Sequence, residues 1–174
     1  MKNEGKIFEQ CFQKSIPDNI LVKRFNDNAA SFGGSVNTRF SSTNECDYEL
    51  FDPESRTLYF LELKSSLNSL TFWRDDFEEK GKKQTFMIKK HQIKGLSDSI
   101  KYQNIVAGLV LNFRNKENTY FWNINDFLEF SNNTDKKSFN EDDVIMHNGY
   151  LINQTKKIKH YIYEIDNFVN DMTN

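Results

Sequence analysis

The alternation of apolar and polar residues predicts a β-sheet with helices packed against it. Residues 4 to 15 place their apolar side chains on one side of a helical wheel, and Pro17 ends that pattern, so a helix is predicted there. A short strand is predicted at 20 to 25, and a second helix at about 89 to 101. The segment NIVAGLVLNF, 104 to 113, is nearly all apolar and predicts a strand buried on both faces at the centre of the sheet.

The rest of the chain has weaker patterns and no internal repeat. The segment TYFW, 119 to 122, predicts a further strand, and the following NINDFLEF predicts a short helix capped by Asn123 or Asn125. In the asparagine- and lysine-rich tail, 157 to 163 predicts a strand that leads into a last short helix. The sequence leaves the place of this tail in the fold open.

A β-hairpin is predicted for CDYELFDPESRTLYFLELK, residues 46 to 64. Asp52 and Pro53 occupy the first two positions of a predicted turn, where the fixed φ of proline already suits the second position. If Asp52 pairs with Thr57, the register of the whole hairpin is set. The pattern therefore predicts which side chains face each other across the two strands.

In that register Asp47 faces Glu62, and their Cβ atoms are expected roughly 4.5–5.5 Å apart. Lys64 projects from the same face, about 6.6 Å farther along the strand. Two opposed carboxylates repel unless a cation lies between them, and they form a natural site for a hard divalent cation that takes oxygen ligands and keeps waters. An ammonium group beside that site can orient an attacking water and stabilise negative charge on a phosphate. The pattern therefore favours phosphodiester hydrolysis.

An ordinary surface charge pair is the competing interpretation of Glu62 and Lys64. Glu-x-Lys is common on exposed strands, and a second copy, 78 to 80, lies in a charged run that we interpret as solvent-exposed surface. A register shifted by one residue would also send Asp47 and Glu62 to opposite faces of the sheet. The site hypothesis therefore depends on the predicted register.

Composition indicates a folded protein without global attraction to nucleic acid. The chain of 174 residues is 37% hydrophobic and 14% aromatic, with 16 Phe, which is enough apolar material for one domain with a substantial core. The formal net charge is −2, so DNA binding would need a local basic face. Only Cys11 and Cys46 are present, without metal-type spacing, and no segment has the length of a membrane span. We expect a reduced, cytoplasmic protein without membrane contact.

A basic run from Lys82 to Lys101 is the candidate for such a face, although a solvated helix face is the alternative. Phe72 and Trp73 precede it and are able to stack on unpaired bases, but burial in the core is the favoured interpretation. A polar loop, 26 to 44, adds one further cation. The candidate DNA-binding residues are Arg39, Lys89, Lys90, His91 and Lys94.

Five ordered segments resemble the RecU-type Holliday junction resolvases, particularly the phage-borne ones, within the PD-(D/E)XK nuclease superfamily. The resemblance covers about residues 3 to 130 and rests on the order and spacing of weak motifs. It implies an α/β fold with a mixed central β-sheet flanked by helices and a restriction-endonuclease-like core. The five segments are GKIFEQCF (5 to 12), CDY (46 to 48), LELK (61 to 64), KKHQIKGL (89 to 96) and GLVLNF (108 to 113).

The resemblance implies a role for each matched residue. Asp47, Glu62 and the carbonyl of Leu63 are implied as ligands of Mg²⁺ or Mn²⁺, and Lys64 resembles the lysine that positions the attacking water. Glu9 resembles the acidic residue of the first helix, which completes or supports the metal site.

The resemblance extends to the helix beside the site and departs from the family in one loop. Gln92 resembles the glutamine at the start of the helix that flanks the site, where it has a supporting role. RecU-type enzymes carry a stalk that enters the centre of the junction, whereas here the loop 26 to 44 takes its place. That departure weakens the expectation of junction selectivity more than the expectation of nuclease chemistry.

The sequence thus predicts a Mg²⁺-dependent, structure-selective endodeoxyribonuclease. We expect it to nick two opposing strands of a four-way DNA junction, leaving 5′-phosphate ends, as a C2 homodimer with two active sites. A single nuclease domain, 1 to 174, is expected, with its core at about 3 to 130 and an extension, 131 to 174, of unassigned role. The alternatives are a restriction-type or other DNA-processing endonuclease on duplex DNA, a non-catalytic DNA-binding protein of the same fold, and an unrelated α/β interaction domain.

Overall fold

A computed structural model describes residues 3–25, 44–75, 85–158 and 160–173. These residues form five helices and ten strands. The helices are α1 (Glu4–Lys14), α2 (Lys90–Ser99), α3 (Ile124–Asn133), α4 (Glu141–Met146) and α5 (Ile165–Thr173). The strands are β1 (Leu21–Arg24), β2 (Tyr48–Asp52), β3 (Thr57–Ser66), β4 (Ser69–Thr71), β5 (Ile105–Phe113), β6 (Asn118–Asn123), β7 (Ser138–Asn140), β8 (Tyr150–Leu151), β9 (Gln154–Lys156) and β10 (Tyr161–Tyr163).

The main sheet has six strands in the order β1-β2-β3-β5-β6-β8. Strands β1, β2 and β3 are successively antiparallel, whereas β3 and β5 are parallel and are connected through α2. Two small sheets, β4 with β7 and β9 with β10, lie outside it. The expected mixed α/β fold, with a mixed central sheet flanked by helices, is therefore confirmed.

The predicted hairpin register is confirmed. Asp52 pairs with Thr57 and Tyr48 pairs with Leu61. The Asp52 carboxylate accepts the backbone N–H of Glu54 at 3.0 Å, which stabilises the turn. The predicted central strand is confirmed as β5, which has neighbours on both sides and is buried from Ala107 onward.

Each face of the sheet carries its own hydrophobic core. On one face α1 and α5 pack over β3 and β5, with Phe12, Tyr59 and Phe168 fully buried. On the other face α2 and α3 cover the sheet, with Trp122 and Phe127 fully buried. Because side chains alternate along a strand, Glu62 and Lys64 face the α2 side, while Leu61 and Leu63 face the α1 side.

The tail contributes to both cores, which the sequence did not reveal. Phe139 and Val144 join the core under α2 and α3, and Phe168 joins the core under α1. The strand predicted at 157 to 163 is wrong in extent. Only β10 is extended, because the backbone N–H of Lys157 donates to the carbonyl of His160 at 2.8 Å and closes a turn.

The structure tests the prediction that Phe72 and Trp73 are buried, whereas two predicted segments lie largely outside the described residues. Phe72 is fully buried, in agreement with the favoured interpretation, and Trp73 is partly buried beside the same core. The polar loop and the charged run fall largely on 26–43 and 76–84, outside the described residues. Within the four described stretches, no helix is both long enough and apolar enough to cross a membrane.

Candidate active site

The two predicted carboxylates lie on neighbouring strands at one end of the hairpin. Asp47 directly precedes β2, and its backbone N–H donates to the carbonyl of Leu61 at 3.0 Å. Its carboxylate accepts the backbone N–H of Leu63 at 2.8 Å. Leu61 is the partner of Tyr48 in the register, so the regular pairing of the two strands ends at Tyr48 and Asp47 lies at an irregular position beside it. The charge of Asp47 contributes to the raised pKa of Lys64, so its carboxylate still lies near Glu62 and Lys64.

Glu62 is the most deeply buried acid of this site, with 1% of its surface exposed. One of its oxygens, Oε1, accepts hydrogen bonds from the ammonium group of Lys64 and from the side-chain amide of Gln92. A buried carboxylate is costly unless it is paired and hydrogen-bonded, and these two donors meet that requirement. The three predicted site residues therefore form one polar cluster in an otherwise apolar layer.

Charges around Lys64 keep it protonated. Burial favours the neutral amine, but the charge and hydrogen bond of Glu62, together with the charges of Asp47 and Glu9, outweigh burial and raise the pKa of Lys64 above its ordinary value. Lys64 is therefore a cation at neutral pH, suited to holding an anionic group or orienting a water rather than to accepting a proton.

The N-terminus of α2 is tied to the cluster through Gln92. The side-chain oxygen of Gln92 accepts the backbone N–H of Lys89 at 2.9 Å, while its amide donates to Glu62. Gly95 permits this approach, because a Cβ atom there would lie 2.4 Å from the Cβ of Glu45. The positive end of the helix dipole therefore lies beside the Glu62 carboxylate.

Glu9 lies near the cluster but is paired with a residue that the sequence analysis did not single out. Its carboxylate accepts from the guanidinium of Arg24 at 2.5 Å, and the charge of Glu9 contributes to the raised pKa of Lys64. Arg24 ends β1 opposite Tyr48, at the same end of the sheet as Asp47. A single arginine in the segment ILVKRF forms no sequence pattern that would indicate a place at this site. The position of Arg24 beside Glu9 follows only from the pairing of β1 with β2.

The donor atoms at this position suit a small hard cation. Asp47, Glu62 and the carbonyl of Leu63 offer oxygen alone, and Mg²⁺ is commonly held by one or two carboxylates while it retains several waters. Among the described residues, no group of three or more His, Cys, Asp or Glu side chains is arranged to hold a metal ion. Oxygen donors alone suit Mg²⁺ or Mn²⁺ better than a metal that prefers nitrogen or sulfur ligands.

The candidate DNA-binding residues differ in their surroundings. Lys89, at the N-cap of α2, and Lys94, in the middle of that helix, are exposed, but the ammonium group of Lys90 lies 4.1 Å from the ring centroid of Trp73. Burial, and then the charges of Lys89 and Lys64, lower the pKa of His91, so it is neutral at pH 7. Arg39 lies outside the described residues.

The chain is similar in sequence to a protein of prophage origin. No protein-family model matches the chain. The chain is 35% identical over 140 residues to an SPbeta prophage-derived uncharacterized protein, YotM, of Bacillus subtilis strain 168. The similarity covers 78% of this chain and 63% of that protein, so the chain spans less than two thirds of the length of its relative.

Proposed function

We propose that this protein is a metal-dependent endodeoxyribonuclease with a PD-(D/E)XK core. One observation carries the proposal: the buried Glu62 carboxylate is held between the Lys64 ammonium and the Gln92 amide, and the Asp47 carboxylate is bonded to the backbone N–H of the next residue, Leu63. A surface charge pair does not account for this arrangement, because Glu62 is 1% exposed. A buried ion pair is weak evidence for a role in stability, and a charged cluster that perturbs the pKa of its members is a candidate functional site.

The residues of the cluster have separable roles in this proposal. Asp47, Glu62 and the carbonyl of Leu63 would hold Mg²⁺ or Mn²⁺, which when bound acts as a Lewis acid and lowers the pKa of coordinated water. Lys64 orients the attacking water and stabilises the negative charge that develops on the phosphate. Gln92 fixes the orientation of Glu62 from the N-terminus of α2.

A four-way DNA junction is the proposed substrate. The five ordered segments that resemble RecU-type resolvases support this choice. Resolution requires two symmetric nicks, so we propose a homodimer that presents two active sites. DNA affinity would come from Lys89, Lys94 and neighbouring cations of α2, with Arg39 as a further candidate.

Cleavage of synthetic junctions tests the proposal. Purified protein with Mg²⁺ or Mn²⁺ is expected to cut a mobile four-way junction into paired nicked products, and to leave its separate duplex arms intact. Lys64→Ala is expected to abolish cleavage. Lys23→Ala is the matched control, since Lys23 is paired with Glu49 at 3.4 Å on the neighbouring strand but is 64% exposed at its side chain.

Three results would change the proposed function. Equal cleavage of the arms and the junction would favour a restriction-type or other duplex endonuclease. An intact junction, with Lys64→Ala indistinguishable from the wild type, would reject the nuclease. If Mn²⁺ also leaves the melting temperature unchanged, in the wild type and Asp47→Asn alike, a non-catalytic DNA-binding protein of this fold is favoured.

A further inference from the structure

Arg24 lies at the end of the sheet that carries the candidate active site. It is the last residue of β1 and pairs with Tyr48, the first residue of β2. The backbone N–H of the next residue, Phe25, donates to the carbonyl of Asp47 at 2.9 Å. Because the regular pairing of β2 with β3 ends at Tyr48, Asp47 lies past the end of β2. A side chain of the α1 face is therefore able to approach Asp47 around that end.

The guanidinium of Arg24 is held by two groups on the α1 face. One of its terminal nitrogens donates to the Glu9 carboxylate at 2.5 Å, and its central carbon lies 5.9 Å from the ring centroid of Tyr48. Tyr48 is fully buried, and its hydroxyl donates to the backbone carbonyl of Glu9 at 3.4 Å. A planar guanidinium that bonds a carboxylate and lies against an aromatic ring is fixed more firmly than a lysine ammonium would be. Arg24 therefore determines where the Glu9 carboxylate lies.

The Glu9 carboxylate is close enough to the polar cluster to act on it. After the charges of Glu62 and Asp47, its charge contributes to the raised pKa of Lys64. The side chain of Glu9 is 27% exposed and that of Arg24 is 31% exposed, so the ion pair is accessible to solvent and to small ions. Partly exposed ion pairs open at modest cost. Glu9 is thus an acid beside the candidate cation position that is engaged by an arginine.

Loss of the Arg24 charge would make this position more attractive to a divalent cation. It would add one unit of negative charge, whatever the sum of the other charges, and would release a carboxylate oxygen of Glu9. A site with more acidic ligands binds a divalent cation more tightly. Besides the proposed ligands, the charged side chains that the described residues bring near are those of Lys23, Glu45, Glu49, Lys64 and Lys89.

We propose that Arg24 is a positioning residue that withholds Glu9 from the candidate metal site and thereby keeps the affinity of that site for a divalent cation low. Asp47, Glu62 and the carbonyl of Leu63 then hold Mg²⁺ or Mn²⁺ without a third acid. Mg²⁺ in proteins is commonly bound by one or two carboxylates together with substrate phosphates, so a site without a third acid keeps a place for a phosphate. The inference rests on the proposed function for the identity of the cation and adds a control on its binding.

Binding of Mn²⁺ alone tests this proposal. Free Mn²⁺ in titrations of the full chain at pH 7 is measured by electron paramagnetic resonance, so that neither DNA nor catalysis is involved. Arg24→Gln is expected to bind Mn²⁺ about tenfold more tightly, because the Glu9 carboxylate is released toward the ion. Arg24→Lys keeps a cation beside Glu9, and its affinity is expected to stay within about threefold of the wild type.

A double-variant cycle identifies Glu9 as the group that Arg24 restrains. Glu9→Gln is expected to lower the Mn²⁺ affinity more in the Arg24→Gln background than in the wild type, because only there is the carboxylate released to the ion. Lys23→Gln is the matched control, since it removes a cation from the neighbouring residue of β1, whose partner is Glu49. It is expected to bind Mn²⁺ as the wild type does. Equal tightening in Lys23→Gln and Arg24→Gln would overturn the proposal, because any nearby cation would then have the same effect.

Melting temperatures without metal show whether each variant is folded. Both side chains of the pair are partly exposed, so shifts within about 4 °C are expected. If Arg24→Gln does not fold, the wild type and Glu9→Gln decide. Removal of a group that supports a bound metal typically costs about 10–100-fold in affinity. A loss of that size in Glu9→Gln alone would show that Glu9 serves the ion with Arg24 in place and would overturn the proposal, whereas a loss below about threefold supports it.

The outcomes separate this inference from the proposed function. If the wild type binds Mn²⁺ and cuts the junction, but Arg24→Gln binds Mn²⁺ no more tightly, the role of Arg24 is wrong and the nuclease stands. If Arg24→Gln tightens binding through Glu9 in a protein that never cuts DNA, the role of Arg24 is supported and the nuclease is rejected. If no variant binds Mn²⁺, both the inference and a metal-dependent activity are rejected.

Discussion

The carboxylate of Asp47 accepts the backbone N–H of Leu63 at 2.8 Å, which fixes it to the strand that carries Glu62. Asp47→Asn keeps an oxygen for this hydrogen bond but removes the negative charge. We expect divalent-dependent junction cleavage to fall about 100-fold or more, because a proposed metal ligand is lost. The free energy of unfolding is expected to change by less than about 1 kcal/mol.

Glu49→Gln is the control for that experiment. Glu49 lies on the same face of β2, two residues beyond Asp47, and pairs with Lys23. Its neutral variant is expected to cleave as the wild type does. Equal loss in both variants would mean that general acidity of the strand, and not a ligand at position 47, supports cleavage.

Lys64→Met tests the buried ion pair. The Lys64 side chain is 19% exposed and Glu62 is 1% exposed, so removal of the cation leaves a buried acid without its ionic partner. We expect a loss of about 3 kcal/mol in the free energy of urea unfolding at pH 7. Glu62→Gln combined with Lys64→Met is expected to recover part of that loss. A double variant no more stable than Lys64→Met would show that the pair contributes no coupling.

The same pair predicts a pH dependence. The pKa of Lys64 is raised, so its stabilising contribution is complete below the unfolded-state pKa of about 10.4 and is lost as the pH rises through the folded-state value. Urea unfolding from pH 8 to 11 is expected to show a steeper loss for the wild type than for Lys64→Met. Parallel curves of unfolding free energy against pH would contradict a raised pKa of Lys64, because titrating tyrosines contribute equally to both proteins.

Gln92 links the helix to the acid, and its variants separate those two contacts. Gln92→Leu removes both hydrogen bonds, and we expect it to cost about 1–3 kcal/mol. Gln92→Glu keeps an acceptor for the Lys89 N–H but places a second carboxylate against Glu62. Like charges raise the pKa of the pair, so cleavage is expected to require a higher pH. An unshifted pH profile for Gln92→Glu would exclude contact with Glu62 in solution.

Phe168→Ala tests whether the tail is part of the core. Phe168 is fully buried in α5, and its ring centroid lies 5.0 Å from that of Phe121 and 5.9 Å from that of Tyr59. Truncation is expected to cost about 3–5 kcal/mol in chemical unfolding. Ile162→Ala, at a position 43% exposed, is expected to cost less than about 1 kcal/mol. A small effect at both positions would show that α5 is dispensable.

The parts of the fold that follow from short-range patterns could be predicted from the sequence. The Asp52-Pro53 turn fixed the hairpin register, and the apolar run gave β5. The tail was harder, because strands as short as Tyr150–Leu151 are too brief for a period to be recognised. The helix α4 has only six residues, which is also too short for a clear pattern.

The candidate site likewise combines a short-range part, which the sequence predicts, with contacts between residues that are distant along the chain. Local turn chemistry specifies the register of the hairpin up to Tyr48, and Asp47 then lies beside the strand that carries Glu62. The pairing of Glu9 with Arg24, and the hydrogen bond from Gln92 to Glu62, join elements that are distant along the chain. Such contacts arise from packing of helices on the sheet, and no spacing in the sequence encodes them.

Gly95 has a consequence for how this protein tolerates substitution. Its bare backbone lets α2 lie against Glu45, and the helix start reaches Glu62 only because of that closeness. A single added methyl group would force the helix outward or displace the segment before β2, since the nearest atom is a Cβ rather than a flexible side-chain end. An alanine there would therefore disturb the packing of α2 against the segment before β2 while leaving every polar residue of the site in place, so the geometry of this cluster depends on a residue without a polar side chain.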